Sequence, residues 1–218
     1  MEMDVSTVAR GLFTTLVASR RPPMPVSSNV TSAGMRAKAM KAAMTAVLSN
    51  GIIRAQANTT DSVREILSSV NPTLFFKTAG NVFVAVCIAS IDASRRQLEF
   101  VNAGLMKPLL KSKGKVGVLE ARGRTNPLGM IEKVTYEERR LRLNKSDVLL
   151  FYTDGISDAQ NETGEFYGEE RLSDLLFALD TESLSAEEIK KAVFQDVRGF
   201  SGSAPQNDDM TVVVVKVV

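Results

Sequence analysis

The sequence contains no histidine, no tryptophan and a single cysteine, Cys87, among its 218 residues. The absence of histidine excludes serine–histidine catalysis, histidine metal sites and imidazole acid–base chemistry. One cysteine cannot form an internal disulfide or a multi-cysteine zinc site. The groups that remain for demanding chemistry are carboxylates, lysines, arginines, hydroxyls and any metal ion that the carboxylates bind.

The chain also lacks long apolar runs and an excess of one charge. No stretch approaches the roughly 20 apolar residues that span a bilayer, and the acidic N-terminus is unlike a signal peptide. Lys and Arg number 27 against 25 Asp and Glu. The short basic runs at residues 111–115 and 139–142 are typical of solvated hairpin or strand faces rather than of a phosphate-binding track. Composition therefore favours a cytoplasmic protein with one domain over residues 1–218, no nucleic-acid partner and no membrane span.

Hydrophobic periodicity predicts the order of helices and strands. Two strands, at residues 12–19 and 26–31, precede two helices that begin near residues 34 and 61. Five or six strands follow within residues 82–152. Two helices that begin near residues 172 and 185 and one strand at residues 210–218 complete the order. The valine-rich last strand is predicted to be covered on both faces. Runs of strands followed by runs of helices indicate an α+β fold, with antiparallel sheets and helices layered on the outside.

Three of the predicted helices have a clear apolar face. The first is expected to end at Asn50-Gly51 and to bury Met40, Ala43, Met44, Val47 and Leu48. The second is expected to bury Val63, Ile66, Leu67, Val70 and Leu74. The last begins with a capping box at Ser185 and Glu188 and is expected to bury Ile189, Val193 and Val197.

Acidic residues stand at the ends of two predicted strands. The strand at residues 148–152 runs into Asp154-Gly155, where a rigid element fixes the carboxylate and the glycine permits close backbone approach. Asp208 and Asp209 precede the last strand. If the two strands are neighbours, Asp154 and Asp208 converge, and clustered carboxylates suit a hard ion such as Mg²⁺ or Mn²⁺. The alternative is that both segments are ordinary turns, because Asp-Gly and Asn-Asp are frequent turn formers.

Five short motifs, two of them made of two segments each, resemble one family in order along the chain. They are Gly34-Met35 with the later Val70-Asn71, Asn102-Ala103-Gly104 with Lys107-Pro108-Leu109-Leu110, Asn126-Pro127-Leu128-Gly129-Met130, Tyr152-Thr153-Asp154-Gly155 and Asp208-Asp209-Met210-Thr211. Together they are similar to the metal-dependent PPM (type-2C) serine/threonine phosphatases, in the bacterial branch of stage II sporulation protein E and the stress-response sigma-factor regulators. The resemblance implies a four-layer α/β/β/α sandwich of two mainly antiparallel sheets flanked by helices.

The same resemblance implies a specific chemistry. Two Mn²⁺ or Mg²⁺ ions would bridge a water that attacks phosphoserine or phosphothreonine, so that no side chain serves as the nucleophile. By position, Asp154 and Asp208 match acidic metal ligands, Asp209 lies beside them, and Asn29 falls on a further ligand position. The implied substrate is a phosphorylated anti-sigma-factor antagonist, and such domains often accompany a sensor or receiver domain.

The N-terminal part departs from the family pattern. Asn29 replaces a ligand aspartate, Val30 replaces the glycine whose carbonyl usually helps, Gly11 falls on the first-strand aspartate, and Leu105 replaces the histidine after Asn-Ala-Gly. Asparagine brings no negative charge, so metal binding should be weaker. Three hypotheses follow: an active phosphatase, a degenerate member that binds a phosphoprotein or regulator without turnover, and a scaffold domain whose acids are turn residues.

Overall fold

The computed structural model describes residues 10–17, 32–78 and 83–218, with the side chains of residues 44–77 and 83–218. Over these ranges the chain forms ten strands and five helices. In chain order they are β1 (Arg10–Val17), α1 (Ser32–Ala57), α2 (Val63–Thr78), β2 (Ala85–Asp92), β3 (Gln97–Ala103), β4 (Leu109–Ser112), β5 (Lys115–Val118), β6 (Arg122–Gly123), β7 (Tyr136–Glu137), β8 (Arg139–Arg142), β9 (Val148–Tyr152), α3 (Asp154–Ser157), α4 (Gly168–Ala178), α5 (Ala186–Ser201) and β10 (Val212–Lys216).

Two antiparallel four-stranded sheets form the centre of the molecule. Their strand orders are β1-β2-β3-β8 and β10-β9-β4-β5, and β6 pairs with β7 in a small ribbon. Helices α1 and α2 pack on the first sheet, and α4 and α5 pack on the second. The layers are therefore helix, sheet, sheet, helix, which confirms the predicted α+β sandwich.

Three apolar clusters fill the interfaces between these four layers. The first lies between α1, α2 and the first sheet, and the second lies between the second sheet and α4 and α5. The third lies between the two sheets and includes Cys87, Phe100, Leu149 and Phe151. Successive side chains of a strand point to opposite faces. Because both faces of β2 are covered, its apolar residues run almost without interruption.

Two helix faces match the sequence prediction. The five apolar side chains predicted for α2 are all fully buried in the first cluster. At the start of α5, Ser185 Oγ accepts from Glu188 N at 3.2 Å and Ser185 N donates to Glu188 Oε2 at 2.7 Å, which completes the predicted capping box. The three apolar residues predicted for α5 are buried.

The end of α1 contradicts the sequence prediction. The helix does not stop at Asn50-Gly51 but continues to Ala57. Asn50 Oδ1 instead accepts a hydrogen bond from Arg54 Nε, one turn further on, at 2.9 Å. A glycine within a helix costs only about 1 kcal/mol relative to alanine. Burying Ile53, which is 1% exposed, outweighs that cost.

The predicted buried face of α1 is also wrong where side chains are described. Met44 is 66% exposed, Val47 is 74% exposed and Leu48 is 44% exposed. The helix instead turns Thr45, Ser49 and Ile53 inward. Ser49 tolerates burial because its hydroxyl donates to the Thr45 carbonyl at 2.7 Å. The side chains of Met40 and Ala43 lie outside the described residues.

Smaller differences concern the strands. Within the block of strands predicted at residues 82–152, a break at Glu138 separates β7 from β8. The last strand is shorter than predicted and lies at a sheet edge, where Val213 and Val214 are only partly buried. Lys111, predicted to lie on a solvated hairpin, is buried. The strand predicted at residues 26–31 lies outside the described residues.

No helix within residues 32–78 and 83–218 is both long enough and apolar enough to cross a bilayer.

Candidate functional site

The two acidic loops meet at one end of the second sheet. Strands β9 and β10 are antiparallel neighbours with Tyr152 opposite Val212. The loop that leaves β9 therefore lies beside the loop that enters β10, and Thr153 N donates to Thr211 O at 3.1 Å beyond the last strand pair. The sequence predicts that Asp154 and Asp208 converge if these two strands are neighbours, and the strands are neighbours.

Thr153 joins the two loops through its side chain. Its hydroxyl is buried, donates to Asp209 O at 3.1 Å and accepts from Thr211 N at 3.0 Å. These bonds use both the donor and the acceptor capacity of one hydroxyl. The loop after β9 is consequently held in a fixed position relative to the loop before β10.

Gly155 permits the same contact sterically. A Cβ atom at this position would lie 2.3 Å from the Asp209 carbonyl oxygen and 2.8 Å from its carbon. Both atoms belong to the backbone, so no side-chain rotation relieves the clash. The close approach expected from the Asp-Gly pair is thus present, and its partner is the backbone of Asp209.

The charges of Asp208 and Asp158 act on the carboxyl group of Asp154. Partial burial raises the pKa of the Asp154 carboxyl, and the negative charges of Asp208 and Asp158 raise it further. The hydrogen bond from Gly155 N to Asp154 Oδ1, at 3.1 Å, acts in the opposite direction. Three carboxylates therefore share one electrostatic environment at this end of the sheet.

Asp158 is an acid near Asp154 that is not among the predicted ligands. It follows the single turn of α3, and its backbone N–H donates to Asp154 O at 2.7 Å. Its spacing of four residues from Asp154 is the feature of the sequence that indicates it, because residues four apart lie on the same side of a helical turn. Recognising it required knowing that residues 154–157 form a helix rather than a continuing strand or an extended loop.

Of the other predicted ligands, Asp208 and Asp209 lie within the residues that the structure describes. Asp208 and Asp209 are both exposed, and Asp209 N donates to Asp208 Oδ1 at 2.7 Å. The structure uses the carbonyl of Asp209 to hold the loops together. Asn29 and Val30 lie outside the described residues. Asn29 as a ligand stays a prediction.

Gly11 does not lie at this end of the molecule. It pairs with Ile91, next to the turn that joins β2 to β3. The opposite end of β2 contacts the loop after β3, because Val86 forms a bridge with Gly104. That loop leads to Leu109, which pairs with Leu150 near the Asp154 end of β9. An aspartate at position 11 would therefore be remote from Asp154.

The donor set fits a hard cation in part. Carboxylate oxygens are the preferred ligands of Mg²⁺ and Mn²⁺, and Asp154 with Asp208 supplies two such groups. In the part of the chain that the structure describes, however, no group of three or more His, Cys, Asp or Glu side chains is arranged to hold a metal. Asp154 and Asp208 as metal ligands therefore stay a prediction.

Two buried asparagines shape the loops around the site. Asn102 donates through Nδ2 to the carbonyls of Leu105 and Met106 at 2.9 and 3.2 Å, and its Oδ1 accepts from Leu105 N at 2.8 Å. Asn71 Nδ2 donates to the carbonyls of Ile131 and Glu132, and Asn71 Oδ1 accepts from Gly129 N at 2.9 Å. These motif residues hold backbone in place and are part of the framework.

Gly104 is required twice over. Its φ of +88° is a conformation that favours glycine, and a Cβ would lie 2.5 Å from Pro127 Cγ. Two separate motifs of the sequence, Asn102-Ala103-Gly104 and Asn126-Pro127-Leu128-Gly129-Met130, are therefore in direct contact.

Comparison with known proteins adds a family to this geometry. A sequence model of the stage II sporulation protein E (SpoIIE) family matches residues 36–218. Protein IcfG of Synechocystis sp. is 32% identical over 137 residues, which is 62% of this chain. The match spans only 20% of the length of IcfG.

Solved structures show the same fold. The SiaA-PP2C domain of Pseudomonas aeruginosa superposes with a TM-score of 0.69 at 23% identity, covering 81% of this chain and 70% of that one. RsbX in complex with magnesium superposes with a TM-score of 0.61 at 13% identity, covering 98% and 89%. At these identities the similarity is one of fold, that of the PP2C sandwich.

Proposed function

Because the chain belongs to the stage II sporulation protein E family, in the sigma-factor-regulator branch of the PPM (PP2C) phosphatases, we propose that it is a metal-dependent serine/threonine protein phosphatase. The observation that carries the proposal is the joining of the Asp154 and Asp208 loops at one end of a single strand pair.

The convergence of the acids is unfavourable unless a cation binds there. Asp154 is partly buried, and its pKa is raised by that burial and by the charges of Asp208 and Asp158. Like charges held together in a partly desolvated place destabilise the folded chain. Yet Thr153 and Gly155 fix the loops in this arrangement. A hard divalent ion removes the repulsion, and this supports a metal centre.

The chain's own residues hold and orient the ligands. Asp154 and Asp208 would bind the ion, with Asp158 and Asp209 beside them and Asn29 as a further ligand. When bound, Mg²⁺ or Mn²⁺ lowers the pKa of its bound water and neutralises phosphoryl charge. The hydrogen bond from Gly155 N fixes Asp154 Oδ1, and the two bonds of Thr153 fix the backbone on both sides of the site. Such preorganisation avoids rearrangement during the reaction.

The substrate that family membership favours is a phosphorylated anti-sigma-factor antagonist, dephosphorylated in the cytoplasm. RsbX and stage II sporulation protein E are among the structural relatives. Because the match covers a fifth of IcfG, we also propose that the present domain works with a sensor or receiver domain.

Hydrolysis of a small aryl phosphate during a Mn²⁺ and Mg²⁺ titration tests the proposal. Activity should saturate with metal, and Asp154→Asn or Asp208→Asn should lower it by roughly two orders of magnitude or more, because each removes a charged ligand. Asp174→Asn is the matched control, since Asp174 is an exposed carboxylate on α4. Unchanged turnover in Asp154→Asn would exclude the proposed centre.

A second candidate is a phosphoprotein-binding domain without turnover. The incomplete ligand set among the described residues favours it, as does Leu105 in the place of the family's histidine. This candidate predicts no metal-dependent hydrolysis by folded protein, together with capture of a phosphoprotein. Saturable hydrolysis would exclude it.

A further inference from the structure

The connection between α3 and α4 forms a tight hairpin at residues 160–166, named here the rim hairpin. Gln160 and Phe166 form a bridge at its base, and Asn161 N donates to Glu165 O at 3.0 Å. Inside the turn, Asn161 Oδ1 accepts from the backbone N–H groups of Thr163 and Glu165 at 3.0 and 2.9 Å. The hairpin is therefore ordered by its own hydrogen bonds.

The rim hairpin is fastened to the segment that carries Asp208. Glu162 Oε1 accepts from both Ser203 N and Ser203 Oγ, at 3.1 and 2.7 Å. Asn207 Nδ2, adjacent to Asp208, donates to Gln160 Oε1 at 3.4 Å. The hairpin also begins two residues after Asp158. It consequently borders the candidate metal centre on the side formed by both acidic loops.

Phe166 projects from this hairpin and is 61% exposed. Its neighbour Tyr167 is buried and packs edge-on against Phe200 at 5.5 Å between ring centroids. The chain thus buries one aromatic side chain at this point and leaves the adjacent one in water. Covering an exposed phenylalanine with an apolar side chain of a partner favours association.

The two segments that border Phe166 carry acidic side chains and no basic ones, while the guanidinium of Arg171, on α4, lies over the neighbouring Tyr167 ring. Residues 158–166 contain Asp158, Glu162 and Glu165 and no Lys or Arg. Residues 202–211 contain Asp208 and Asp209 and again no Lys or Arg. In a chain whose charges otherwise nearly balance, this rim favours partners with positive charge.

We propose that Phe166 and the rim hairpin are the docking contact for the phosphoprotein substrate, and that they take an apolar side chain flanked by lysine or arginine. This rests on the proposed function. A protein whose phosphoserine reaches Asp154 and Asp208 must cover the neighbouring rim, because the hairpin is attached to both loops. Since the hairpin is already ordered, docking loses little conformational entropy there.

The test compares Phe166→Ala with Phe177→Ala on two kinds of substrate. Phe177 is the matched control because it is 62% exposed at the other end of α4. One substrate is a small aryl phosphate, which is too small to reach the rim. The others are two phosphoserine peptides of equal length, one with leucine between two arginines near the phosphoserine and one with serine between two glutamates.

We expect the apolar, basic peptide to be preferred, and Phe166→Ala to lower its kcat/KM about five- to tenfold through KM. Phe166→Ala should leave aryl phosphate hydrolysis unchanged, and Phe177→Ala should change neither reaction. Equal use of the two peptides, or equal losses in the two phenylalanine variants, would overturn the docking proposal.

If folded wild-type protein does not hydrolyse the aryl phosphate, the proposed function fails and docking is measured by fluorescence anisotropy of the labelled peptides. Preferred binding of the basic peptide, weakened by Phe166→Ala alone, still supports the docking contact. Binding that Phe166→Ala leaves unchanged overturns it.

Discussion

Asp154 and Gly155 are adjacent, yet different forces constrain them. Gly155 is fixed by steric contact, because the Asp209 carbonyl occupies the place of a β-carbon. Asp154 is constrained by charge, because burial and two neighbouring carboxylates oppose its ionisation. The first constraint maintains the position of the loops, and the second makes that position unfavourable in the absence of a cation.

Gly155→Ala should separate the two acidic loops. The added methyl group meets backbone at 2.3 Å, and overpacking of this kind destabilises by about 1–3 kcal/mol. Urea unfolding measures the loss, and the rise in Tm with added Mn²⁺ should shrink in the same variant. Gly199→Ala is the control, because nothing lies within 4 Å of that β-carbon and the residue is in α5. Equal stability of both variants would show that the close approach is unimportant.

Asp154→Asn should stabilise the metal-free protein near neutral pH. The folded-state pKa of Asp154 is raised above its ordinary value of 3.8, so the folded state takes up a proton at higher pH than the unfolded state. Stability therefore increases as pH falls through the folded-state pKa, and the ionised carboxylate lowers it above that pH. The advantage of Asp154→Asn over wild type should be present at pH 7 and vanish near pH 4.

Unfolding midpoints in urea with a chelator, measured from pH 4 to 7, check this prediction. Asp174→Asn should show no such trend. With saturating Mn²⁺ the order of stability should reverse, since only wild type gains the full free energy of metal binding. A metal-free Asp154→Asn variant that is less stable than wild type at pH 7 would contradict the electrostatic account.

At the scale of elements, the sequence predicted best where packing and local signals agree. The face of α2 and the capping box of α5 were correct, because periodic apolar residues and a reciprocal cap point to the same helix. The prediction for α1 was wrong because Asn50-Gly51 resembled a helix end. Only the tertiary packing of Ile53 shows that the helix continues.

The candidate site was predictable to a similar extent. Asp154 and Asp208 were predictable because they are acids at the ends of two apolar strands. The pairing of β9 with β10 brings their loops together. Asp158 was missed because its position depends on the one-turn helix α3. The placement of Gly11 on the family's first-strand aspartate stays a prediction, although β1 puts this residue beside the turn that joins β2 to β3. Counting residues along a motif does not reveal the register of β1 against β2.

Lys111 connects β4 to the end of α4. Its Nζ donates to the carbonyls of Leu176, Phe177 and Leu179 at 3.1, 2.9 and 2.6 Å. The last carbonyls of a helix lack partners within the helix, and its dipole favours a cation there. A basic run that the sequence marked as solvated thus includes a lysine that caps a helix.

Lys111→Met should lower the free energy of unfolding by about 1–3 kcal/mol, because it keeps the apolar stem and leaves the carbonyls without their donor. Lys115→Met, at an exposed position of the same hairpin, should stay within about 0.5 kcal/mol of wild type. Urea unfolding followed by circular dichroism measures both. A neutral Lys111→Met would mean that water replaces the ammonium group without loss.

At the scale of the whole molecule, Cys87 reports on the contact between the two sheets. It belongs to the apolar cluster between them and is 2% exposed. Burial raises the pKa of its thiol to about 12, and the thiolate is the reactive form. The folded protein should therefore protect the only cysteine in the sequence.

Alkylation of Cys87 at pH 8 should follow opening of the sandwich. We expect native protein to react far more slowly than urea-unfolded protein, and the rate should fall further when Mn²⁺ binds, because binding lowers the population of open forms. Labelling by iodoacetamide, quantified by mass spectrometry, measures the rate. Native reaction as fast as that of unfolded chain would contradict the buried position.

The pairing of β9 with β10 has a consequence for biosynthesis. The Asp154 loop leaves the ribosome before α4 and α5, whereas the Asp208 loop emerges after them. Closing so long a loop is entropically unfavourable until β10 adds its strand contacts. A nascent chain that ends before β10 therefore lacks the strand that holds the Asp208 loop beside the Asp154 loop. The two acidic loops would therefore meet only after the ribosome has released β10.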